Sequence, residues 1–274
     1  MSLPTLSVIV RARDEAASIG RCLELVRAQR PGGADAELIV VDNASRDATA
    51  AIARAHGAEV VEVAAGAFTF GGALNLGAAR ARGEVLVALS AHAFPRDDGW
   101  LGRLAAAFED PRVACACGER FLPDGSPLRA PVEQDLARAR LHPEWGYSNA
   151  AGGFRASLWR ERPFREDLPG CEDKEWARHW LERGYVCRLD PALRVEHDHT
   201  HDPLLDVYRR ARREAEGLAL AFGLPAGSAP DLVRRWWSDL RFYDSALRAR
   251  LSHRRAARLL GEHAGRARAA RGRG

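Results

Sequence analysis

Apolar residues in the first 120 positions fall into short unbroken runs, and between the runs they recur every three or four residues. The runs are LSVIVRA at 6–12, ELIVVDN at 37–43, AEVVEV at 58–63 and GEVLVALS at 83–90, while EAASIGRCLELVRAQ at 15–29 and DATAAIARAHG at 47–57 carry the helical recurrence. Further helical patterns over Gly72–Arg82 and Gly99–Phe108 lead into GEVLVALS and RVACACGERF. This alternation predicts an α/β fold with crossover helices on a parallel sheet. Ligands of such sheets collect at the carboxyl ends of the strands, where Arg11–Glu15, Asp42–Asp47 and Ser90–Pro95 fall.

Residues 122–145 are rich in Pro, Gly and Arg with little period and read as a long connection. Beyond them come YSNAAGGFRASLWRERPF, an acidic helix start in CEDKEWARHWLERG, and the strands YVCRLD and LRVEH, the last running into DHTHD. These strands are expected to complete the first sheet. After Pro203 the pattern turns helical, with Leu204, Tyr208, Ala211 and Ala215 on one face. A second helix starts at SAPDL with Ser228 as its cap, and Val233, Trp236, Trp237, Leu240, Tyr243, Leu247 and Leu251 keep helical spacing. The arginine-rich end, 266–274, is expected to be disordered.

Composition narrows the class. At 274 residues and 46% hydrophobic content the chain can bury one large core. No apolar run reaches the roughly 20 residues that span a bilayer, and five cysteines without C-x-x-C spacing suit a reducing compartment. A cytoplasmic location follows. Twelve arginines against three acids over 234–274 make the end basic and leave the body acidic. That region lacks interleaved exposed aromatics and any nucleic-acid motif, so a nucleic-acid partner is not expected. Contact of its helices with the inner membrane face, or with a second copy, is the expectation that fits charge beside Trp236 and Trp237.

Three clusters carry candidate chemistry. In VVDNASRD, Ser45 and Asp47 suit helix capping, whereas Asp42, last in its strand, points a carboxylate into the crevice where it can accept the imide N–H of a uracil or thymine. In EDKEWA, Glu172 and Asp173 sit at a helix start, favourable for the helix dipole and equally for chemistry. In EHDHTH, His197, His199 and His201 alternate, and His197 and His199 would share one face of a continuing strand; imidazoles so grouped suit a metal or a phosphate. The glycine-rich FTFGGALNLGAARARG matches neither phosphate-loop spacing, although Asn75 could reach a ligand edge.

Together these segments resemble glycosyltransferase family 2, inverting nucleotide-sugar enzymes of the GT-A fold, over about residues 5–215. SVIVRARDEA is similar to the opening strand, VVDNASRD to the nucleotide segment with Asp42 at the base-binding acid and Asn43 in place of a second acid, and EDKEWA to the E-D motif. NLGAARARGEVLVALSAHA is similar to the helix and strand delivering the D-x-D, with Ser90-Ala91-His92 in its place. RVEHDH is similar to a late V-x-H segment.

The resemblance implies a mixed, mostly parallel sheet flanked by helices over a catalytic unit 1–202, with a C-terminal helical extension over 203–265. It makes Asp173 the general base with Glu172 beside it. Donor contacts fall to Arg11, Arg13, Asp42, Asn43, Asn75, Ser90, Ala91 and His92, and sugar or acceptor contacts to Asn149, Gly152 and Trp176. A divalent metal, Mn or Mg, would be held by His92, His197 and His199. Transfer of one sugar from a UDP- or dTDP-type donor is implied, since the Q-x-x-R-W motif of processive members is missing. LSAHA and EDKEWA are also similar to stretches of rhamnose-type transferases of polysaccharide assembly, and the acceptor is a glycan, a lipid-linked molecule or a natural product. A degenerate nucleotide-sugar binding protein and a retaining GT-A transferase are the alternatives.

Overall fold

The computed structural model describes residues 4–30, 36–238 and 252–272. Strands β1 (Leu6–Ala12), β2 (Glu37–Asp42), β3 (Glu59–Glu62) and β4 (Val85–Ser90) pair in parallel, joined by helices α1 (Ile19–Arg27), α2 (Thr49–Ala55) and α3 (Phe70–Arg80). The unbroken apolar runs of β1, β2 and β4 are explained by burial on both faces, whereas β3 is the edge strand, with Glu59 and Glu62 exposed. Val8 and Val10 of β1 face one core cluster and Ile9 the other; in β4, Val85, Val87 and Leu89 oppose Leu86 and Ala88.

After β4 the chain forms the two-residue strand β5 (Phe94–Pro95), helix α4 (Trp100–Ala106), strands β6 (Val113–Cys117) and β7 (Val132–Gln134), and helix α5 (Leu136–Leu141). Strand β8 (Ala151–Arg155), helices α6 (Ala156–Glu161) and α7 (Glu172–Leu181), and strands β9 (Val186–Leu189) and β10 (Val195–Glu196) follow. The eight-stranded sheet has the order β3-β2-β1-β4-β8-β6-β9-β7, and β10 pairs with β5 apart from it. Strand β8 lies antiparallel between β4 and β6, so the sheet is mixed.

Three segments differ from the sequence expectation, the first being LRVEH, whose strand β10 pairs with β5 and does not join the eight-stranded sheet. The connection 122–145 contains β7 and α5, because β7 finds an antiparallel partner in β9 and Asp135 caps α5 by accepting from the Arg138 N–H. Strand β8 escapes an apolar-run search because its centre is Gly152-Gly153: a Cβ at Gly152 would stand 2.7 Å from the Ser148 carbonyl oxygen, and one at Gly153 3.0 Å from the Phe108 ring. Only a chain without side chains fits there.

The C-terminal helices are α8 (Leu204–Phe222), α9 (Ala229–Ser238) and α10 (His253–Arg271). Ser228 caps α9 as expected, its hydroxyl accepting from the Asp231 N–H at 3.2 Å. Leu240, Tyr243, Leu247 and Leu251 lie outside the described residues. Contrary to the expected disorder, residues from Gly265 onward continue α10 to Arg271. The reason is packing: Gly261 and Gly265 bring α10 against the backbone of α8, Ala269 is buried, and Arg268 pairs with Glu216 at 3.0 Å.

Gly261 meets the Tyr208 carbonyl and Gly265 the Arg212 carbonyl, so α8 and α10 run parallel in close contact. A Cβ on Gly265 would stand 2.1 Å from the Arg212 oxygen. Gly265→Ala is therefore expected to destabilise by about 1–3 kcal/mol through overpacking. Urea titration of wild type and variant checks this, and an unchanged midpoint would contradict the close contact.

Candidate active site

Three segments leaving the carboxyl ends of β1, β2 and β4 are laced together. The backbone N–H groups of Asp14, Glu15 and Ala16 donate to Ser45 Oγ (2.9 Å), Thr49 Oγ1 (2.7 Å) and Asp47 Oδ2 (3.0 Å), and the Arg46 N–H donates to Asp14 Oδ1 at 2.8 Å. Ser45 and Asp47 thus work as structural locks. Asp14 and Ala44 in these segments, and Cys171 before α7, are the non-glycine residues with positive φ among the described residues. Strain of this kind persists where surrounding contacts over-determine the backbone.

Asp42 is buried at the end of β2, and its carboxylate accepts from Ser45 N–H (3.1 Å) and Ser45 Oγ (2.5 Å). Asn43 is buried beside it, its N–H donating to the Ala12 carbonyl at 2.9 Å. Ser90 is half-buried, Ala91 is fully buried and Arg13 is exposed, its guanidinium 3.9 Å from Asp14. Of the Ser90-Ala91-His92 segment, His92 is the residue that brings a chemically active side chain to the strand end.

His92 meets His197 and His199 there, with ring centroids 4.9 Å and 5.2 Å away. One nitrogen from each of the three rings falls within 4.8 Å of the others. His197 Nε2 and His199 Nε2 are 3.1 Å apart, a contact that needs a proton or a cation between two lone pairs. Behind the rings stand carboxylates. Glu15 Oε1 lies 2.7 Å from His92 Nδ1, and Asp202 Oδ2 lies 3.2 Å from His199 Nδ1. An N–H on each Nδ1 donating to its carboxylate leaves Nε2 free as a ligand, the usual outer partner of a metal-binding imidazole. Burial opposes ionisation of Glu15, yet the hydrogen bonds from His92 and Ser18 hold its carboxyl below the ordinary range.

Burial, reinforced by the neighbouring imidazoles and by Arg210 and Arg11, pushes His197 down to about 4; burial and Arg210 also lower His199. Both rings are therefore neutral at pH 7, as a metal ligand must be. The shift has a stability consequence. Between the ordinary 6.5 and about 4, the unfolded chain binds the His197 proton and the folded chain does not, so stability rises with pH across this window. The melting temperature is expected to fall as pH drops from 6.5 toward 4, and less steeply in His197→Gln. Parallel curves for the two proteins would contradict the assignment.

Asp173 heads α7 and lines a cavity of about 840 Å³. Its Oδ2 accepts from the Asn149 N–H at 3.1 Å and its Oδ1 from the Lys174 N–H at 2.7 Å. Glu172 is buried beside it, with the Asn149 amide donating at 3.3 Å and the Arg11 guanidinium 3.7 Å away. Burial, then the neighbouring Asp173 charge, raises the Glu172 carboxyl, outweighing Arg11. Arg11 donates Nη2 to the Asn149 carbonyl at 3.0 Å, while its buried Nε and Nη1 have no hydrogen-bond acceptor. Two unspent donors of a guanidinium suit an anionic ligand.

Three expected site residues are engaged in packing contacts. Asn75 Oδ1 accepts from Trp159 Nε1 and the Phe164 N–H, and its Nδ2 donates to the Phe164 carbonyl and Glu166, so its polar atoms tie α3 to the 159–166 segment and none is left for a donor. Trp176 is completely buried among Phe154, Phe164 and Trp180, with Nε1 donating to the Arg162 carbonyl. Gly152 sits in the sheet interior, chosen for the close approach of Ser148 and Tyr147. The supports Glu15, Asp202, Arg210 and Arg254 were not singled out by pattern. Arg254 reaches back from α10 to donate to the carbonyls of His199 and Asp202, each at 2.6 Å, and Arg210 contacts both His199 and Asp202.

A family model described as glycosyl transferase family 2 matches residues 7–168. No curated protein matches the chain by sequence. Among solved structures, the mannosyltransferase PcManGT from Pyrobaculum calidifontis, in complex with GDP-Man and Mn2+, is similar with a TM-score of 0.67 and 19% identity, over 94% of this chain and 74% of that one. The Mycobacterium tuberculosis glucosyl-3-phosphoglycerate synthase in complex with UDP gives 0.60 and 19%, over 81% of each chain. S. aureus TarS 1-349 in complex with UDP gives 0.56 and 15%, over 98% of this chain and 92% of that one. At these identities the likeness is one of fold, with the mostly parallel sheet, flanking helices and C-terminal helices in common.

Proposed function

The chain belongs to glycosyl transferase family 2 and has the GT-A fold, and from that premise we propose that it transfers a single sugar from a nucleoside-diphosphate donor to an acceptor hydroxyl with inversion. The observation that carries the reading is the meeting of His92, His197 and His199 at the end of β4, backed by Glu15 and Asp202. Solved structures of similar fold hold GDP-Man with Mn2+ or UDP, which supports a nucleotide-sugar donor here.

Asp42 and Asn43 hold the base. Arg11, whose Nε and Nη1 make no hydrogen bond, offers charge to the diphosphate, and Asn149 links Arg11, Glu172 and Asp173 through its carbonyl, side-chain amide and backbone N–H. Asp173 takes the proton of the acceptor hydroxyl as its oxygen attacks the anomeric carbon, and the electron pair of the broken bond leaves with the diphosphate on the opposite face. Glu172, partnered by Arg11 and Asn149, orients this end of α7.

The histidine triad fits a divalent cation: one nitrogen of each ring within 4.8 Å of the others, His197 and His199 held neutral, and outer carboxylates are what such a site requires. When bound, the ion supplies positive charge to the leaving diphosphate. The catalytic unit is 1–202, and the helical extension begins at 203. No helix among the described residues is long and apolar enough to cross a membrane. Exposed Val233 and Trp237 on α9 support a peripheral contact of the extension, with a membrane face or a second copy.

A thermal-shift screen of nucleotide sugars with and without Mn2+, followed by product analysis, tests the reading. Stabilisation by one donor and an inverted glycoside product are expected. Donor binding without any turnover would leave a nucleotide-sugar binding protein, and a product of retained configuration would remove Asp173 from its role.

A further inference from the structure

The C-terminal helices make one wall of the cavity at Asp173. The cavity is lined by Asn149, Glu172 and Asp173, and on the helix side by Arg213 of α8, Arg235 of α9 and Arg258, Glu262 and Arg266 of α10. We propose that this wall binds a phosphoryl group of the acceptor, so that the sugar is delivered to a phosphorylated acceptor whose hydroxyl lies at Asp173. The proposal rests on the reading of Asp173 as the base.

Charge on the wall is unbalanced. Glu262 serves two guanidinium groups, pairing with Arg235 and standing 3.7 Å from Arg258 Nε, which is buried and makes no hydrogen bond. Arg266 has no hydrogen bond or ion pair among the described residues, and Arg213 has no carboxylate within ion-pair distance there. Arg213 stacks its guanidinium 4.5 Å over the Phe70 ring, and burial pushes its pKa down. Among the cavity-lining residues of these helices, five arginines stand against two acids, Glu214 and Glu262.

A partly dry cavity holds such a surplus at an electrostatic cost that an anionic ligand offsets. Guanidinium forks match the oxygens of a phosphoryl group in paired hydrogen bonds, and a dianion answers several forks together. Of the other acids on the cavity, Glu214 is on α8, Glu172 and Asp173 are on α7, and Glu119 and Glu144 come from the 118–145 connection. Phe121, Leu122, Leu218 and Leu224 add apolar lining, which suits a phosphate carried on an apolar or sugar body.

The test is binding of two probes to the full chain in chelator: phenyl phosphate, a soluble phosphomonoester, by calorimetry, and phosphatidylcholine vesicles with and without phosphatidic acid, by co-sedimentation. Both the Arg258→Gln/Arg266→Gln pair and Arg213→Gln are expected to weaken phenyl phosphate binding by at least about tenfold, the value of one lost charge-assisted hydrogen bond. Arg258→Lys/Arg266→Lys is expected to keep most of the affinity, which separates lost charge from lost packing. Tight binding to phosphatidic acid vesicles alone, lost in the Gln pair, assigns the phosphoryl group to a lipid; binding of phenyl phosphate assigns it to a soluble acceptor. Equal affinity of wild type and the Gln pair for both probes, or no binding of either, overturns the proposal. UDP and GDP titrations on the same proteins read the donor side separately. Failure of wild type to bind either nucleotide would remove the transferase reading while an arginine-dependent phosphate site still stood.

Discussion

Asp173→Asn is expected to lower turnover by about 10²–10⁴-fold, the range for loss of a general base, with nucleotide affinity close to that of wild type. The side chain is nearly isosteric, but an amide cannot accept the acceptor's proton. Asp173 presently accepts two backbone N–H groups, one on each oxygen. An asparagine oxygen can keep only one, so a modest loss of stability accompanies the variant, on the order of 1–3 kcal/mol for an unsatisfied buried donor. Initial rates, nucleotide titrations and melting curves measured together separate the two effects. Near-normal turnover by a folded Asp173→Asn protein would move the base to another residue.

His92→Ala is expected to cost about 10²–10³-fold in turnover, corresponding to about 3–4 kcal/mol of charge stabilisation at the leaving diphosphate, and to abolish any response to Mn2+. Since His197 and His199 remain, direct measurement of Mn2+ binding by electron paramagnetic resonance should show weakened rather than absent uptake. Glu15→Gln should weaken metal binding by about 10–100-fold, as removal of an outer carboxylate does, without removing a ligand. The sign of the pH response distinguishes a metal site from a phosphate-binding imidazolium. Neutral ligands lose metal as pH falls, and because burial holds His197 down to about 4, that ring stays available through mildly acidic pH. An imidazolium clamp would instead fail as pH rises and would be indifferent to chelator. Full activity of His92→Ala in chelator would end the metal account.

Strands β1, β2 and β4 were legible because each is buried on both faces, and continuous burial writes itself as a continuous apolar run. Asp42, His92 and Asp173 stand out as candidates because each closes or follows such a run, or starts an acidic helix. Strand β8 was not legible, since glycines chosen for backbone approach leave no hydrophobic period. Trp176 and Asn75 show the opposite limit: their residue types suit a ligand, and only packing reveals that Phe154, Phe164 and Trp159 already engage them. The outer partners Glu15, Asp202 and Arg254 depend on contacts across 77 residues in one case and 52 in another. Separations of that length leave no local signature.

The order of strands in the sheet has a consequence for how the protein is made. β1 to β4, with the loops that carry Asp42 and His92, are contiguous within the first third of the chain and pair only with one another up to the edge at β4. A ribosome releases this third first, and it can dock its helices before the rest exists. β8 must then close the β4 edge in antiparallel fashion, His197 and His199 arrive after β9, and the arginine wall of α10 comes last. A nascent chain therefore gains its nucleotide crevice early and its remaining site late. During that interval the unpaired edge of β4 is the surface most exposed to wrong partners, and nascent-chain aggregation should be governed there rather than in the arginine-rich end.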